Sequence, residues 1–223
     1  MPLSTVLFDL DNTIYPASSG LMKGIDSRIN EYVKNLLDLD DARALQLRKQ
    51  YYVEYGTTLH GLQLHHRVDP DDYLAFVHDV AIEAFLASDA ELDHLLSELR
   101  AGKAIFTNAP ASYARRVLAV LGIERHFSHV FDIHYSGLRP KPDPAAYQAV
   151  LGALGIEGSA AMLVEDTAKN LPPARALGMT TVLVGEADER AAALADYVVP
   201  DVLAATRLAI ELERAGHAGA PAQ

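Results

Sequence analysis

The 223-residue sequence contains no cysteine. Disulfide bonds and thiolate chemistry are therefore excluded, although the redox compartment is not fixed by this absence. Basic residues are also scarce: 19 lysines and arginines stand against 30 aspartates and glutamates, giving a formal net charge of -11. Nucleic-acid polymers and anionic membranes bind to basic surfaces, so neither is an expected partner. A bound divalent cation can still allow an acidic protein to accept a small anionic substrate.

Long apolar stretches are missing as well. No uninterrupted apolar run approaches the ~18 residues needed to span a bilayer. The opening residues, Met-Pro-Leu-Ser-Thr, lack the basic region, apolar stretch and cleavage site of a signal peptide. We therefore expect a cytoplasmic location, and the sequence leaves the oligomeric state open. The hydrophobic content of 50% and charged content of 22% argue against disorder throughout the chain.

Short apolar runs alternate with helical patterns along most of the chain. The runs that predict buried strands are Val6–Leu10, Ala104–Phe106, Val130–Ile133, Met162–Val164, Thr181–Val184 and Tyr197–Val199. The helical patterns between them are Pro110–Leu121 before Gly122, a helix begun by Asp143-Pro144 and closed near Gly155, and Leu171–Leu177 before Gly178. This alternation predicts an α/β fold, a Rossmann-like parallel sheet with helices on both faces.

The segment 16–100 differs from the rest because it contains no convincing strand. Apolar residues at 29, 32, 33, 36 and 37 keep helical spacing, and Ser88-Asp89-Ala90-Glu91 is a capping-box pattern before another helix. We therefore predict an α/β core formed by 1–15 and 101–215, interrupted by an all-helical cap at 16–100. A flexible tail is expected at 216–223.

Polar residues follow several of the predicted strands. They are Asp9 and Asp11, Thr107 and Asn108, and Glu165 and Asp166, with Lys141 in a Pro-Lys-Pro segment between two strands. Ligands of open parallel sheets bind at the carboxyl ends of the strands, so these side chains should converge on one edge. Each alone has an ordinary explanation, such as a turn, a helix cap or a solvated lysine. Their combination in this order favours a phosphoryl-transfer site.

Each of these residue types has a task in phosphoryl transfer. Asp9 can attack phosphorus and form an aspartyl phosphate. Asp11 can protonate the leaving oxygen and then deprotonate the attacking water. Thr107 and the Asn108 backbone can donate hydrogen bonds to the phosphoryl group, and Lys141 can neutralise both Asp9 and the phosphate. The carboxylates suit a hard cation such as Mg²⁺.

At these residues the sequence resembles the haloacid dehalogenase-like hydrolase superfamily over nearly the whole core. The matching motifs are Asp9-Leu10-Asp11-Asn12-Thr13, Thr107-Asn108, Lys141-Pro142-Asp143 and Glu165-Asp166. The resemblance implies Asp9 as nucleophile, Asp11 as general acid and base, and Thr107 and Lys141 as stabilisers of the phosphate and the intermediate. Asn12 and Asn108 are expected in the substrate site.

The resemblance also implies a Mg²⁺ ion and a phosphatase reaction. Asp9, the Asp11 main-chain carbonyl and Asp166 would hold the metal, with Glu165 as a direct or water-mediated ligand. The dehalogenases that name the superfamily lack the second aspartate, because a halide leaves without a proton whereas an alkoxide needs one. Asp11 therefore favours phosphomonoester hydrolysis through a phosphoaspartate.

The inserted segment is similar to the cap of the pyrimidine 5'-nucleotidase branch. The similarity lies in Tyr51–Gly56 followed by Gly61-Leu62, and in the core segments Asp11–Tyr15 and Glu165–Asn170. It implies a pyrimidine nucleoside 5'-monophosphate as substrate and makes Tyr55 and His60 candidates for substrate contacts. The sequence departs from the branch at His60, where arginine is expected. Asn170 stands where many superfamily phosphatases carry aspartate.

Other interpretations stay open from the sequence. Helix packing explains Tyr51 and Tyr52 at least equally well, and the pair His65-His66 has no matching acidic spacing, so no metal is assigned to it. The substrate could be another small metabolite, such as a sugar phosphate or phosphoglycolate. A haloacid dehalogenase is disfavoured by Asp11. A non-catalytic sensor of a phosphorylated ligand is disfavoured because a pure binder has no need for Asp11 beside Asp9.

Overall fold

The computed structural model describes residues 2–218. Within them the strands are β1 (Thr5–Phe8), β2 (Gly102–Phe106), β3 (His129–Phe131), β4 (Ala161–Glu165), β5 (Thr180–Val184) and β6 (Tyr197–Val199). The α-helices of the same residues are α1 (Leu21–Leu37), α2 (Asp41–Tyr55), α3 (Thr58–His66), α4 (Pro70–Val77), α5 (Ala90–Glu98), α6 (Ala111–Leu121), α7 (Pro144–Leu154), α8 (Leu171–Ala176), α9 (Glu189–Ala192) and α10 (Val202–Ala218).

The six strands form one parallel sheet in the order β3-β2-β1-β4-β5-β6. Strands β2 and β3 lie on one side of β1, and β4, β5 and β6 lie on the other side. This is the strand order of a Rossmann-like sheet, whose ligands bind in the crevice where the strand order reverses, beside β1. The predicted fold class is confirmed, and each predicted apolar run overlaps one strand. The crevice lies between the ends of β1 and β4.

The central strands are apolar because helices cover both faces of the sheet. Every residue of β1 and β4 is buried, whereas the edge strands β3 and β6 are partly exposed. On one face, Leu7 and Leu163 belong to a cluster with Tyr147 and Val150 of α7. Further along the chain, α10 also packs against the sheet, at β4, β5 and β6, and it contacts α5. The sheet is therefore a rigid platform for the loops that follow its strands.

The described chain divides into two compact units. A sheet unit contains the chain up to Ser18 and from Leu86 onward, and a helical unit contains Ser19–Phe85. The expected boundaries of the insert, at 16 and 100, differ from this division. The difference is largest at the second boundary, because α5 packs against α10 and Asp89 N–H donates to the Leu121 carbonyl at 3.1 Å. The amphipathic pattern of α5 indicated a helix but not the unit to which it belongs.

The helix termini follow local sequence signals in most cases. Asp143 caps α7 by accepting the Ala145 N–H at 2.9 Å, as predicted, with Pro144 in the first turn. In α5 the capping residue is Asp89, which accepts the Leu92 N–H at 2.9 Å, one position after the Ser88 of the capping-box pattern. The ionised carboxylate is the stronger acceptor of the two neighbouring candidates.

The last helix extends into the segment 216–223, where a flexible tail is expected from the sequence. In the structure α10 continues through Ala218. Alanine, glutamate and arginine favour helix, and a Cβ at Gly216 would lie 3.1 Å from the Cα of Pro2. Residues 219–223 lie outside the described residues. No helix within residues 2–218 has both the length and the apolar character needed to cross a membrane.

The helical unit contains α1–α4. In it α2 packs closely on α3, and α1 packs on both α2 and α4. Gly61 of α3 lies against Tyr51 of α2, so closely that a Cβ on Gly61 would be 2.6 Å from the Tyr51 Cβ. The Gly61-Leu62 pair that contributed to the family resemblance thus has a packing function: a residue without a side chain lets the two helices approach.

Candidate active site

The centre of the candidate site is Asp9, which follows β1 directly. Its backbone N–H donates to the Val164 carbonyl at 2.9 Å, so the β-ladder with β4 continues to this residue. Its side chain is almost completely buried. Oδ2 accepts the Thr13 hydroxyl at 3.0 Å, and Oδ1 accepts the Lys141 ammonium at 2.7 Å. The carboxylate is thereby held in one orientation at the reversal point of the sheet.

Lys141 bridges two buried carboxylates. Its Nζ lies 2.7 Å from Asp9 Oδ1 and 2.6 Å from Glu165 Oε2, and the side chains of all three are less than one tenth exposed. Asn108 fixes the backbone of this lysine: Lys141 N–H donates to Asn108 Oδ1 at 2.7 Å, and Asn108 Nδ2 donates to the Lys141 carbonyl at 3.2 Å. The Asn108 side chain thus positions the lysine, a function that the sequence did not indicate.

The pKa values of this ion cluster reflect burial and charge together. Burial, and then the charge of Glu165, raises the pKa of Asp9 to about 6, although Lys141 acts in the opposite direction. Burial also raises the pKa of Glu165, against the effect of Lys141. For Lys141 itself, burial alone would lower the pKa, but the two carboxylates outweigh burial and raise it. The lysine therefore remains charged in this site.

Asp11 lies two residues beyond Asp9 and is bound by two phenols. Tyr15 and Tyr113 both donate their hydroxyl protons to Asp11 Oδ1, the latter at 3.0 Å. Burial, and then the charge of Asp9, raises the pKa of Asp11 to about 6, while the two phenol hydrogen bonds lower it. Asp11 is only partly buried, in contrast to Asp9.

Thr107 follows β2 on the other side of β1. Its N–H donates to the Phe131 carbonyl at 3.0 Å, and its Oγ1 accepts the Ala109 N–H at 3.0 Å. The hydroxyl is buried, and because Oγ1 already accepts one hydrogen bond, its own proton can be donated to a ligand. The loop after β2 thus supplies an oriented hydroxyl.

Three acids lie close enough together to bind one cation. Single carboxylate oxygens of Asp9, Glu165 and Asp166 all lie within 4.8 Å of one another. Burial, and then the charge of Asp9, raises the pKa of Asp166. Glu165 is already engaged by Lys141 and by the Thr167 N–H at 3.1 Å. Asp166 is the less buried acid of the Glu165-Asp166 pair, and its Oδ1 accepts the Thr167 hydroxyl at 3.0 Å.

One amide group lies beside these acids, and a second lies in the loop after β4. Asn12, in a left-handed conformation with φ of 57°, hydrogen-bonds to Asp166, and its Oδ1 is buried without a protein partner. Asn170 is also buried, and its Oδ1 likewise has no protein partner. Buried acceptors are normally satisfied, by water if not by protein. The combination of clustered carboxylates and the unsatisfied Asn12 oxygen fits a hydrated divalent cation.

The remaining predicted contacts, Tyr55 and His60, lie in the helical unit. Their rings are 6.3 Å apart, and the Tyr55 hydroxyl is 2.8 Å from His65 Nε2. His66 Nε2 lies 2.8 Å from the Tyr51 hydroxyl, and His60 is exposed. These side chains form an aromatic cluster on α2 and α3, and substrate contacts by Tyr55 and His60 stay predictions.

The sequence motifs predict no role for either tyrosine at Asp11. Tyr15 ends the segment Asp11–Tyr15, and its spacing of four residues from Asp11 is compatible with a contact. Tyr113 carries no such signal, because it is 102 residues from Asp11 and reads as one of the apolar positions of α6. Only the tertiary structure brings it to the carboxylate.

The sequence of this chain is similar to a known family of hydrolases over most of its length. Residues 3–178 match the family model of the haloacid dehalogenase-like hydrolases. The chain belongs to this hydrolase family. The membership agrees with the sheet order and with the acidic residues after β1 and β4. It also confirms the superfamily resemblance of the sequence motifs.

Several relatives of this hydrolase are identifiable. Phosphate metabolism protein 8 of Saccharomyces cerevisiae is 30% identical over 79% of this chain, and the match spans 60% of the yeast protein. The hydrolase therefore covers less than two thirds of that relative. A phosphoglycolate phosphatase of Pectobacterium atrosepticum is 29% identical, over 78% of this chain and 77% of its own length. The crystal structure of a phosphatase of the family from Thermococcus onnurineus superimposes with a TM-score of 0.64 at 19% identity, covering 92% of this chain and 97% of that one. At this identity the structural similarity concerns the fold alone.

Proposed function

We propose that this hydrolase is a phosphomonoesterase that acts through a phosphoaspartate on Asp9. The observation that carries the proposal is the pair of aspartates after β1, with Asp9 bound to a buried lysine and Asp11 to two phenols. A nucleophile and a proton donor two residues apart are the two groups that phosphoester cleavage requires.

Asp9 is the proposed nucleophile. Its carboxylate attacks phosphorus, the bond from phosphorus to the leaving oxygen breaks, and the phosphoryl group is carried on Asp9. Lys141, 2.7 Å from Oδ1, offsets the negative charge that otherwise repels a phosphate dianion. The Thr107 hydroxyl is the proposed hydrogen-bond donor to the phosphoryl oxygens.

Asp11 is the proposed general acid and base. It gives a proton to the leaving oxygen in the first step, and it takes one from the attacking water in the second. Its pKa of about 6 supports this role, because a proton donor is most effective when its pKa is close to the working pH. An ordinary aspartic acid would carry very little of its protonated form at neutral pH.

The acidic cluster supports a Mg²⁺ ion as cofactor. Asp9, Asp166 and the main-chain carbonyl of Asp11 are the proposed ligands, and Glu165 is proposed to act mainly by holding Lys141. When bound, Mg²⁺ supplies positive charge to the phosphoryl oxygens. The unsatisfied oxygen of Asn12, which lies beside Asp166, is proposed to accept a hydrogen bond from water held by the ion.

The proposed substrate is a pyrimidine nucleoside 5'-monophosphate. This choice rests on the resemblance of three segments to the pyrimidine 5'-nucleotidase branch, with Tyr55 and His60 as proposed contacts of the leaving group. A second candidate is phosphoglycolate, favoured by the name of the relative that matches 78% of this chain. Both are small phosphorylated metabolites and use the same phosphoryl chemistry.

A substrate panel tests the proposal. The purified protein is assayed with Mg²⁺ against CMP, UMP, AMP, GMP, phosphoglycolate and sugar phosphates, with phosphate release as the readout. We expect the highest kcat/KM with CMP or UMP. A preference for phosphoglycolate would replace the first candidate by the second, and no phosphate release from any ester would overturn the phosphatase.

Two controls separate the phosphatase from the other classes. Asp9→Asn should abolish turnover, because an amide cannot form the acyl phosphate. Halide release from 2-haloacids should be absent, since the second aspartate serves an alkoxide leaving group. Tight binding of phosphate esters by a wild-type protein without any turnover would instead indicate a sensor of phosphorylated ligands.

A further inference from the structure

The carboxyl group of Asp11 is held by two buried tyrosines from different elements. Tyr15 lies four residues along the same loop, and Tyr113 lies on α6; each side chain is about 1% exposed. Both hydroxyls donate to the same oxygen, Asp11 Oδ1, the one from Tyr113 at 3.0 Å. The two phenol oxygens are themselves 3.2 Å apart. The three side chains thus form a compact polar cluster within the sheet unit.

This arrangement makes the two oxygens of the carboxyl group inequivalent. A carboxyl oxygen that accepts two hydrogen bonds has its lone pairs occupied, so a proton is better placed on the other oxygen. For Asp11 that oxygen is Oδ2. The two hydrogen bonds come from different directions, because Tyr15 lies on the same loop as Asp11 and Tyr113 lies on α6. Together they restrict rotation of the Asp11 carboxyl group.

The chemistry of the donors suits a group that changes its protonation state. A lysine or arginine at this place would stabilise the ionised form of Asp11 and oppose protonation. Neutral phenols donate hydrogen bonds to the carboxylate and to the carbonyl oxygen of the carboxylic acid alike. They can therefore orient Asp11 in both halves of a reaction in which it first loses and then regains a proton.

We propose that Tyr15 and Tyr113 are positioning residues that confine the transferable proton of Asp11 to Oδ2. The inference rests on the proposed function, in which Asp11 is the general acid. In the first step Asp9 bonds to phosphorus, the bond to the leaving oxygen breaks, and the proton of Asp11 Oδ2 moves to that oxygen. In the second step water attacks phosphorus, the bond to Asp9 breaks, and Asp11 Oδ2 takes a proton from the water.

The tyrosines act on the proton transfer, so their effect should depend on the leaving group. A phenolate such as that of p-nitrophenyl phosphate leaves with little help, whereas the alkoxide of a nucleotide or another alkyl phosphate needs the proton. If the tyrosines only packed the loop, their removal would displace Asp9 as well and would slow both substrates equally.

The test uses Tyr113→Phe and Tyr15→Phe, each of which removes one hydroxyl from the cluster. The rate of phosphoaspartate formation is measured in single-turnover quench experiments with Mg²⁺, with p-nitrophenyl phosphate and with the best alkyl phosphate of the substrate panel. General acid catalysis contributes about 10²- to 10⁴-fold. We expect each variant to lose on the order of tenfold with the alkyl ester and less than about threefold with the aryl ester.

A matched control and a double-substitution cycle complete the experiment. Tyr73→Phe removes the hydroxyl of another buried tyrosine, in the helical unit, and should leave both rates unchanged. In an Asp11→Asn background, Tyr113→Phe should add less than about twofold to the loss, because the residue through which it acts is already altered. Thermal unfolding of each variant verifies that it is folded.

The outcomes separate the inference from the function on which it rests. Equal losses with both esters, no loss with either, or full additivity with Asp11→Asn would overturn the role of the tyrosines while the phosphatase stands. A wild-type protein that forms no phosphoenzyme with any ester would overturn the proposed function itself. Since the two variants remove contacts from different elements, a folding defect in one leaves the other decisive.

Discussion

The most highly constrained residue of the site is Lys141. It is buried between two carboxylates, and Asn108 holds its backbone from both the N–H and the carbonyl side. A buried ion pair gains little over an apolar replacement, but the removal of one partner leaves an uncompensated buried charge. In this protein the removal of the lysine would leave two such charges, on Asp9 and Glu165.

Lys141→Met should therefore lower the free energy of unfolding by about 3 to 5 kcal/mol, the cost of breaking a buried ion pair. Urea denaturation near pH 8 measures the loss. Adding Glu165→Gln should recover part of it, because one of the two uncompensated carboxylates is then neutral. A double variant no more stable than Lys141→Met would contradict the electrostatic explanation.

Lys34→Met is the control for this experiment. Lys34 Nζ lies 3.0 Å from Asp41 Oδ1, and both side chains are exposed. Its substitution removes an exposed ion pair and leaves no buried charge, so the loss should be at most about 1 kcal/mol. Similar losses in the two lysine variants would show that the acids at Lys141 are not the cause.

At the scale of elements, the contact between α2 and α3 depends on the absence of a side chain at Gly61. A Cβ there would lie 2.6 Å from the Tyr51 Cβ, on a neighbouring helix rather than on a flexible chain end. Gly61→Ala should destabilise this contact by about 1 to 3 kcal/mol, as overpacking of a core does. Amide hydrogen exchange measures the effect, and it should be faster in α2 and α3 of the variant than in wild type.

In the sheet unit, Gly152→Ala should have the opposite effect and stabilise the helix that contains it. Gly152 lies inside α7, and a Cβ there would meet nothing within 4 Å. Since alanine favours helix over glycine by about 1 kcal/mol, this variant should slow exchange in α7. Unchanged exchange in α2 and α3 on Gly61→Ala would refute the close approach of these helices.

The end of α4 contains a histidine whose charge is opposed by its surroundings. Burial lowers the pKa of His78 to about 4, although the hydrogen bond of its Nδ1 to the Leu74 carbonyl acts in the opposite direction. Because the folded-state pKa lies below that of the unfolded chain, the unfolded state binds more protons in this range. The contribution to stability is complete above pH 6.5 and is lost as the pH falls toward 4.

The loss between pH 7.5 and pH 5 should amount to roughly 2 kcal/mol for His78, at about 1.4 kcal/mol for each pKa unit traversed. The free energy of unfolding of wild type and His78→Gln is compared at both pH values. The variant should show a smaller decrease on acidification, whereas His94→Gln, at an exposed position, should behave as wild type. Parallel decreases in His78→Gln and wild type would exclude His78 as the source.

At the scale of the whole molecule, the net charge of -11 has a local counterpart in the site. Four acids, Asp9, Asp11, Glu165 and Asp166, lie near a single buried lysine, and burial raises the pKa of each. A divalent cation would relieve this repulsion in the folded state only. Mg²⁺ should therefore stabilise the protein as well as support its activity.

Mg²⁺ at a hundred times its Kd should add about 2.7 kcal/mol and raise Tm by roughly 5 to 10 °C. Asp166→Asn should lose most of this shift, and Glu211→Gln, at an exposed position of α10, should keep it. Removal of the metal with EDTA should abolish the shift and the phosphatase activity together. The same shift in Asp166→Asn as in wild type would show that the cation binds elsewhere.

The strands and several helices were predictable from sequence because their signals are local. The central strands are covered on both faces, so β1 and β4 read as continuous apolar runs, and glycines mark the ends of α6 and α7. The second boundary of the insert was not predictable. An amphipathic helix such as α5 can cover either unit, and its contact with α10, more than a hundred residues away, decides between them.

The sequence by itself determined the fold class and the set of chemical groups after the strands, from Asp9 and Asp11 to Thr107, Lys141 and Asp166. It could do so because apolar periodicity and short motifs are properties of neighbouring residues. Only the tertiary structure decided how these groups are paired. The contacts of Lys141 with Glu165, of Asn108 with the Lys141 backbone and of Tyr113 with Asp11 join residues 24 to 102 positions apart. Such contacts form when the sheet brings its loops together, and no local pattern encodes them.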